Sequence, residues 1–132
     1  MNLTWIHKYA SPMYFYTWSL AVSPWLKGIC SILFIVGLAG GLFYAPPDYQ
    51  QGESFRIIYV HVPSAWMSLF IYMVMASAGA LGLIWHLKLG DMVARASAPL
   101  GAWFTFLALT TGSLWGKPMW GTYWVWDARL TS

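Results

Sequence analysis

Three long apolar runs, separated by short segments that hold most of the charge, decide what this chain can fold into. Residues 28–47, GICSILFIVGLAGGLFYAPP, contain no charged side chain, and about twenty such residues are enough to cross a hydrocarbon core. A second run extends from residue 57 to 87, interrupted only by His61 and His86. Pro63 fits best in a first helical turn, where its missing N–H costs nothing, so the second span is expected over about 63–86. The third is expected over about 96–115, with Pro99 at its start. Only 8% of the 132 residues are charged, against about a quarter in a soluble domain. So few charges cannot clothe a soluble surface. The chain reads as an all-α integral membrane protein with three transmembrane helices.

Small residues mark where those helices approach one another. Gly37, Gly40 and Gly41 give the first span a small face, and Ala76, Ser77, Gly79, Ala80 and Gly82 do the same for the second. Residues 1–27 carry Lys8, Lys27, Pro12 and Pro24 among many aromatic rings, which suits an interfacial segment better than a span. No compact apolar core with a small-residue cleavage site follows the N-terminus, so a cleaved signal peptide is not expected. Cys30 stands alone in an apolar run, which excludes an internal disulfide and a cysteine metal site. The seven basic residues are scattered singly, and nucleic acid is not an expected partner.

Three spans put the N-terminus and the 88–95 segment on one side, and the 48–56 loop and the C-terminal stretch on the other. On the first side Lys8, Lys27, Lys88 and Arg95 face a single acid, Asp91. On the second, Arg56, Lys117 and Arg129 are balanced by Asp48, Glu53 and Asp127. Basic segments stay in the cytoplasm. The N-terminus is therefore expected inside, with 48–56 and the C-terminal stretch outside.

That C-terminal stretch, residues 115–131, reads WGKPMWGTYWVWDARLT. Gly116, Pro118 and Gly121 argue against one uninterrupted helix across 115–121, and periodicity does not settle its conformation. Indole rings favour the membrane–water boundary, so an aromatic belt is the plain reading. The alternative is a shelf for a large flat ligand, with Asp127 and Arg129 at its polar edge. His61, on the same side, is a metal-ligand candidate, because a neutral imidazole binds iron, copper or zinc. Arg56 and Arg129 are suited to carboxylates, although Arg56 can instead pair with Glu53. His7 and His86, each near a lysine, read as interfacial residues. Haem unites these features: a flat apolar ring, an iron seeking imidazole and two propionates seeking cations.

The stretch around Trp120, Gly121, Trp124, Trp126, Asp127 and Arg129 resembles the tryptophan-rich WWD signature of the haem-handling proteins of cytochrome c biogenesis. With SLWGKPMWGT, YQQGESFRIIYVHVPSAW and the order of the spans, the chain resembles the CcmC haem-delivery family of the cytochrome c maturation system over nearly its whole length. The resemblance implies haem b (iron protoporphyrin IX) held at the outer face of a bacterial inner membrane. It implies His61 as one axial ligand of the iron. Trp115, Trp120, Trp124, Trp126, Asp127, Arg129 and Arg56 would bind the rest of the group. It also implies delivery to a membrane-anchored, CcmE-like haem chaperone, alongside an ABC-type membrane complex. The family has six spans and a second histidine in a later outer loop, so this chain is expected to be the N-terminal half. The division expected from all this is an interfacial segment at 1–27, a three-helix domain at 28–115 and a WWD segment at 116–132.

Two other classes remain: a structural membrane subunit whose tryptophans only anchor it, and a haem lyase of the larger WWD group. The charge balance generates a test. Single cysteines at Gln51 and Lys88, in chains lacking Cys30, are expected to label from outside at position 51 only. Labelling at 88 alone reverses the topology.

Overall fold

The computed structural model describes residues 11–127. It contains three long apolar helices, and the protein is an all-α membrane protein. Helix α1 spans Pro12–Ala39 and continues through one π-helical turn, Gly40–Tyr44. A 3₁₀ turn, Glu53–Ile57, leads into α2, Ile58–Trp85, and α3 spans Lys88–Trp120. Helices α1 and α2 with their adjoining turns, and α3 by itself, are each 33 residues long. At about 1.5 Å per residue that is about 50 Å, longer than a hydrocarbon core of about 30 Å.

The helices outrun the expected spans for local reasons. Residues 12–27, expected as a segment apart from the first span, are the first half of α1. Pro12 sits at the helix start, where proline is tolerated, and Pro24 is carried inside the helix. The second helix starts early because the 3₁₀ turn runs directly into it, so Pro63 lies in the second turn rather than the first. The third begins at Lys88, not near 96. His86 takes the left-handed conformation with φ 54°, Leu87 is extended, and the Gly90 N–H bonds to the Leu87 carbonyl at 2.9 Å. Those two residues complete the reversal, so the 88–95 segment is free to be helical. At the other end the helix passes through Gly116 and Pro118 and stops at Trp120. This overturns the expected break, because a proline three residues from the terminus removes only one late ladder donor.

Helices α2 and α3 form a tight antiparallel pair, and three glycines on α3 explain how. Gly90, Gly101 and Gly112 recur every eleven residues, about three helical turns, and so share one face. A Cβ on Gly90 would lie 2.5 Å from the Ala78 carbonyl oxygen. On Gly101 it would lie 3.2 Å from Ile71 Cγ2, and on Gly112 3.0 Å from His61 Cε1. Ala78 and Ile71 are the buried apolar residues of the described chain. Gly82 joins the same contact, since its Cβ would strike the Asp91 carboxylate at 2.8 Å. Gly79 meets nothing within 4 Å.

Among the described residues helix α1 is attached near its C-terminal end, and it buries no residue of its own. Gly41 lies against Tyr59, where a Cβ would approach Cγ to 2.6 Å, whereas a Cβ on Gly37 or Gly40 would meet nothing within 4 Å among the described residues. The Arg56 guanidinium donates to the carbonyls of Leu42 at 3.0 Å and Gly41 at 3.4 Å. These are carbonyls that a helix end leaves short of donors.

Gly90→Ala is expected to destabilise the α2–α3 pair by about 1–3 kcal/mol, because the new methyl meets backbone that cannot rotate away. Gly79→Ala is expected to be neutral or stabilising. Thermal unfolding in detergent, followed by circular dichroism, compares the two; equal midpoints contradict the glycine face.

Candidate functional site

At the end of the pair away from His86, three stretches of sequence converge. The loop DYQQG after α1 folds on Asp48, whose Oδ1 accepts the backbone N–H groups of Gln50 and Gln51 at 2.9 Å each. Gly52 closes the loop at φ 57° and ψ −138°, a conformation for glycine alone. Gln51 is thereby held so that its Oε1 accepts the Trp115 indole N–H at 3.0 Å. The loop is thus pinned to the last turns of α3.

Beyond α3 the chain turns back on itself. Gly121, at φ 76°, ends the helix and donates to the Lys117 carbonyl at 3.0 Å. The Lys117 ammonium in turn donates to the Gly121 carbonyl at 3.0 Å. Gly116 is buried beneath this reversal, and a Cβ there would lie 3.3 Å from the Thr122 carbonyl oxygen and 3.4 Å from the Trp120 ring. Trp120 therefore stands edge-on to Trp115, with centroids 5.1 Å apart and planes at 81°. The Thr122 hydroxyl donates to the Trp124 carbonyl at 3.0 Å and fixes the next bend. Trp124 and Trp126 form a second edge-on pair at 5.9 Å.

His61, half-buried in the first turns of α2, faces this assembly. Its Nδ1 lies 3.0 Å from the Ala108 carbonyl oxygen and 3.1 Å from Thr111 Oγ1. A cavity of about 400 Å³ opens beside it, lined by His61 and Ser68 from α2, then Thr105, Ala108, Leu109, Gly112, Ser113, Trp115 and Trp120 from α3. Tyr123 and Trp124 from the folded-back segment close it. A smaller hollow of about 280 Å³ on the other side is lined by Gln51, Ile57, Ile58, His61, Val62 and Trp115. His61 and Trp115 form the wall between the two. Trp124 Nε1 is buried without a hydrogen-bond partner among the described residues, an arrangement that costs about 1–3 kcal/mol unless a ligand supplies the acceptor.

Of the expected site residues, the structure brings His61, Trp115, Trp120 and Trp124 together. Trp126 is 85% exposed and touches the site through Trp124. Asp127 is half-buried, with its backbone N–H on the Val125 carbonyl at 3.0 Å. Arg56 does not line the cavity: its guanidinium holds the end of α1 and pairs with Glu53. Arg129 lies outside the described residues. Sequence reasoning missed Ser68, Thr105, Thr111, Gly112, Tyr123 and Gln51. The signal was helical spacing. Ser68 falls two turns after His61 on α2, and Thr105, Ala108, Gly112 and Trp115 follow one face of α3.

Together these elements define a class: a multi-pass helical membrane protein with an imidazole in the wall of an aromatic cavity near one end of its helices. The chain belongs to the CcmC family, described as Heme exporter protein C, whose family model matches residues 5–132. It is 51% identical over 128 residues to Heme exporter protein C of Haemophilus influenzae, covering 97% of this chain and 52% of that one. It is 52% identical over 127 residues to the Escherichia coli K12 protein of that name, covering 96% and 52%. Against the Bradyrhizobium diazoefficiens protein of that name, identity is 53% over 123 residues, covering 93% and 46%. The chain spans about half the length of these curated relatives.

Gln51→Ala is expected to free the 45–52 loop while the α2–α3 pair stays intact. Hydrogen exchange should rise in that loop and remain unchanged over residues 64–78. Unchanged exchange in the loop contradicts the role given to the Gln51–Trp115 bond.

Proposed function

We propose that this chain forms part of a haem-holding site at the outer face of a bacterial inner membrane, from which haem b passes to a carrier during c-type cytochrome maturation. The observation that carries the reading is His61, a half-buried imidazole in the wall of a cavity edged by Trp115, Trp120 and Trp124. Haem, the cargo here, presents an apolar ring, an iron that takes imidazole and a polar edge. The residues fit those needs in part. Indole faces cover apolar ring surface, the unpartnered Trp124 N–H seeks an acceptor, and His61 supplies one axial position. Tryptophan cannot be the ligand, since its ring nitrogen only donates. His61 is the one histidine among the described residues that line the two hollows, and a second axial ligand is proposed to come from elsewhere in the full-length protein.

The chain's own groups are proposed to bind and present the haem. With Arg56 engaged at α1, Arg129 is the arginine proposed for a propionate. Asp127 is proposed to orient the polar edge. The shared names of the relatives, Heme exporter protein C, support a role in haem export. A membrane-anchored haem chaperone as recipient and an ABC-type complex as neighbour are part of the proposal. So are a cytoplasmic N-terminus and a periplasmic WWD segment.

His61→Ala in the full-length protein is expected to lose most retained haem, with partial recovery when imidazole is added in bulk. Trp120→Ala and Trp124→Ala each remove ring contact worth about 1–3 kcal/mol. They should lower occupancy while the spectrum of the remaining haem keeps its axial signature. A His61→Ala protein with wild-type haem content and spectrum contradicts the proposal.

A further inference from the structure

We infer that Nε2 of His61 is the nitrogen presented to a metal, and that the Ala108 carbonyl and Thr111 on α3 are the positioning groups that make it so. The inference rests on the haem-holding reading above and names the atom through which it operates.

The geometry at Nδ1 leaves one tautomer. A carbonyl oxygen only accepts, and Ala108 O lies 3.0 Å from Nδ1, so Nδ1 must carry the proton. The opposite tautomer would set the Nδ1 lone pair against those of the carbonyl at the same distance. Thr111 agrees. Its hydroxyl donates within its own helix, to the Leu107 carbonyl at 2.6 Å with the Ala108 carbonyl at 3.3 Å, which leaves its oxygen free to accept from Nδ1 at 3.1 Å. The Ala108 carbonyl has two lone pairs and can serve the helix ladder and the imidazole together. With the proton fixed at Nδ1, Nε2 bears the lone pair, and no polar partner meets it among the described residues.

Gly112 completes the arrangement. Its missing side chain is what lets the ring lie against α3, since a Cβ would stand 3.0 Å from Cε1 and 3.4 Å from Nδ1. Helix α3 therefore holds the ring's position, its tautomer and its donor strength together. A ring N–H bonded to a carbonyl makes the other nitrogen a more basic ligand, and losing such a partner commonly weakens metal affinity about 10- to 100-fold.

The first test needs no haem. The chain has three histidines, so long-range 15N–13C correlations on histidine-labelled, haem-free chain in alkaline detergent buffer can assign each tautomer. A predominantly Nδ1–H form is expected for His61, and a predominantly Nε2–H form overturns the inference however any variant folds. The second test uses the full-length protein. Thr111→Val should lower haem affinity about 10-fold and, in a background lacking the second axial ligand so that the ferrous iron is five-coordinate, move the iron–histidine stretching band to lower frequency. Thr111→Ser should restore both. An unchanged affinity and band in Thr111→Val removes Thr111 from the positioning set. Haem retained by a protein whose His61 is Nε2–H sinks this inference and leaves the haem-holding reading standing. A wild-type protein that retains no haem removes both.

Discussion

The close approach of α2 and α3 is the constraint on which the rest of this structure depends. In a membrane, helices gain little from the hydrophobic effect by pairing, so small residues that let backbones meet carry the association. Gly90, Gly101 and Gly112 do this on a single face, against Ala78, Ile71 and His61 in turn. The last contact has a chemical consequence as well as a mechanical one. With no side chain at 112, where a Cβ would crowd Cε1 at 3.0 Å, the imidazole lies close enough to bond the Ala108 carbonyl, one turn earlier on the same helix.

The aromatic segment depends on the same helix. Had α3 ended at the prolines and glycines near its terminus, Trp115 and Trp120 would belong to a loose loop. Instead the helix reaches Trp120, Gly121 reverses the chain, and Gly116 gives the returning backbone a place to lie. The result is two edge-on tryptophan pairs beside a histidine, pinned from the other flank by Gln51. Helix α1 contributes little packing of its own. It is tied in by Gly41 on Tyr59 and by Arg56 on two terminal carbonyls, which spends on architecture an arginine that looked suited to a ligand's carboxylate.

Much of this was legible in the residues. Uncharged runs of about twenty residues announce membrane helices whatever their packing, and the WWD run with its flanks carried the family resemblance. Helix ends were less legible. Proline and glycine signals at 63, 88–96 and 116–121 pointed to boundaries that tertiary context overrode: a 3₁₀ lead-in, a two-residue reversal at His86, and a proline tolerated close to a terminus. Among the small residues, composition could not separate those where a side chain would strike a neighbour, Gly41 and Gly82, from those where it would meet open space among the described residues, Gly37, Gly40 and Gly79. The eleven-residue recurrence on α3 was present in the sequence and is meaningful only once the partner helix is known.

Haem is proposed to sit against His61, at the tryptophan end of the α2–α3 pair. His86 lies at the opposite end of α2, about 37 Å along the axis for the 25 intervening rises. Paramagnetic ferric haem, titrated into 15N-histidine-labelled protein, reports which of the two it approaches through the broadening of their ring signals. The account predicts that the His61 signals vanish at one equivalent while those of His86 keep their width. Broadening at His86 with His61 unaffected would contradict it.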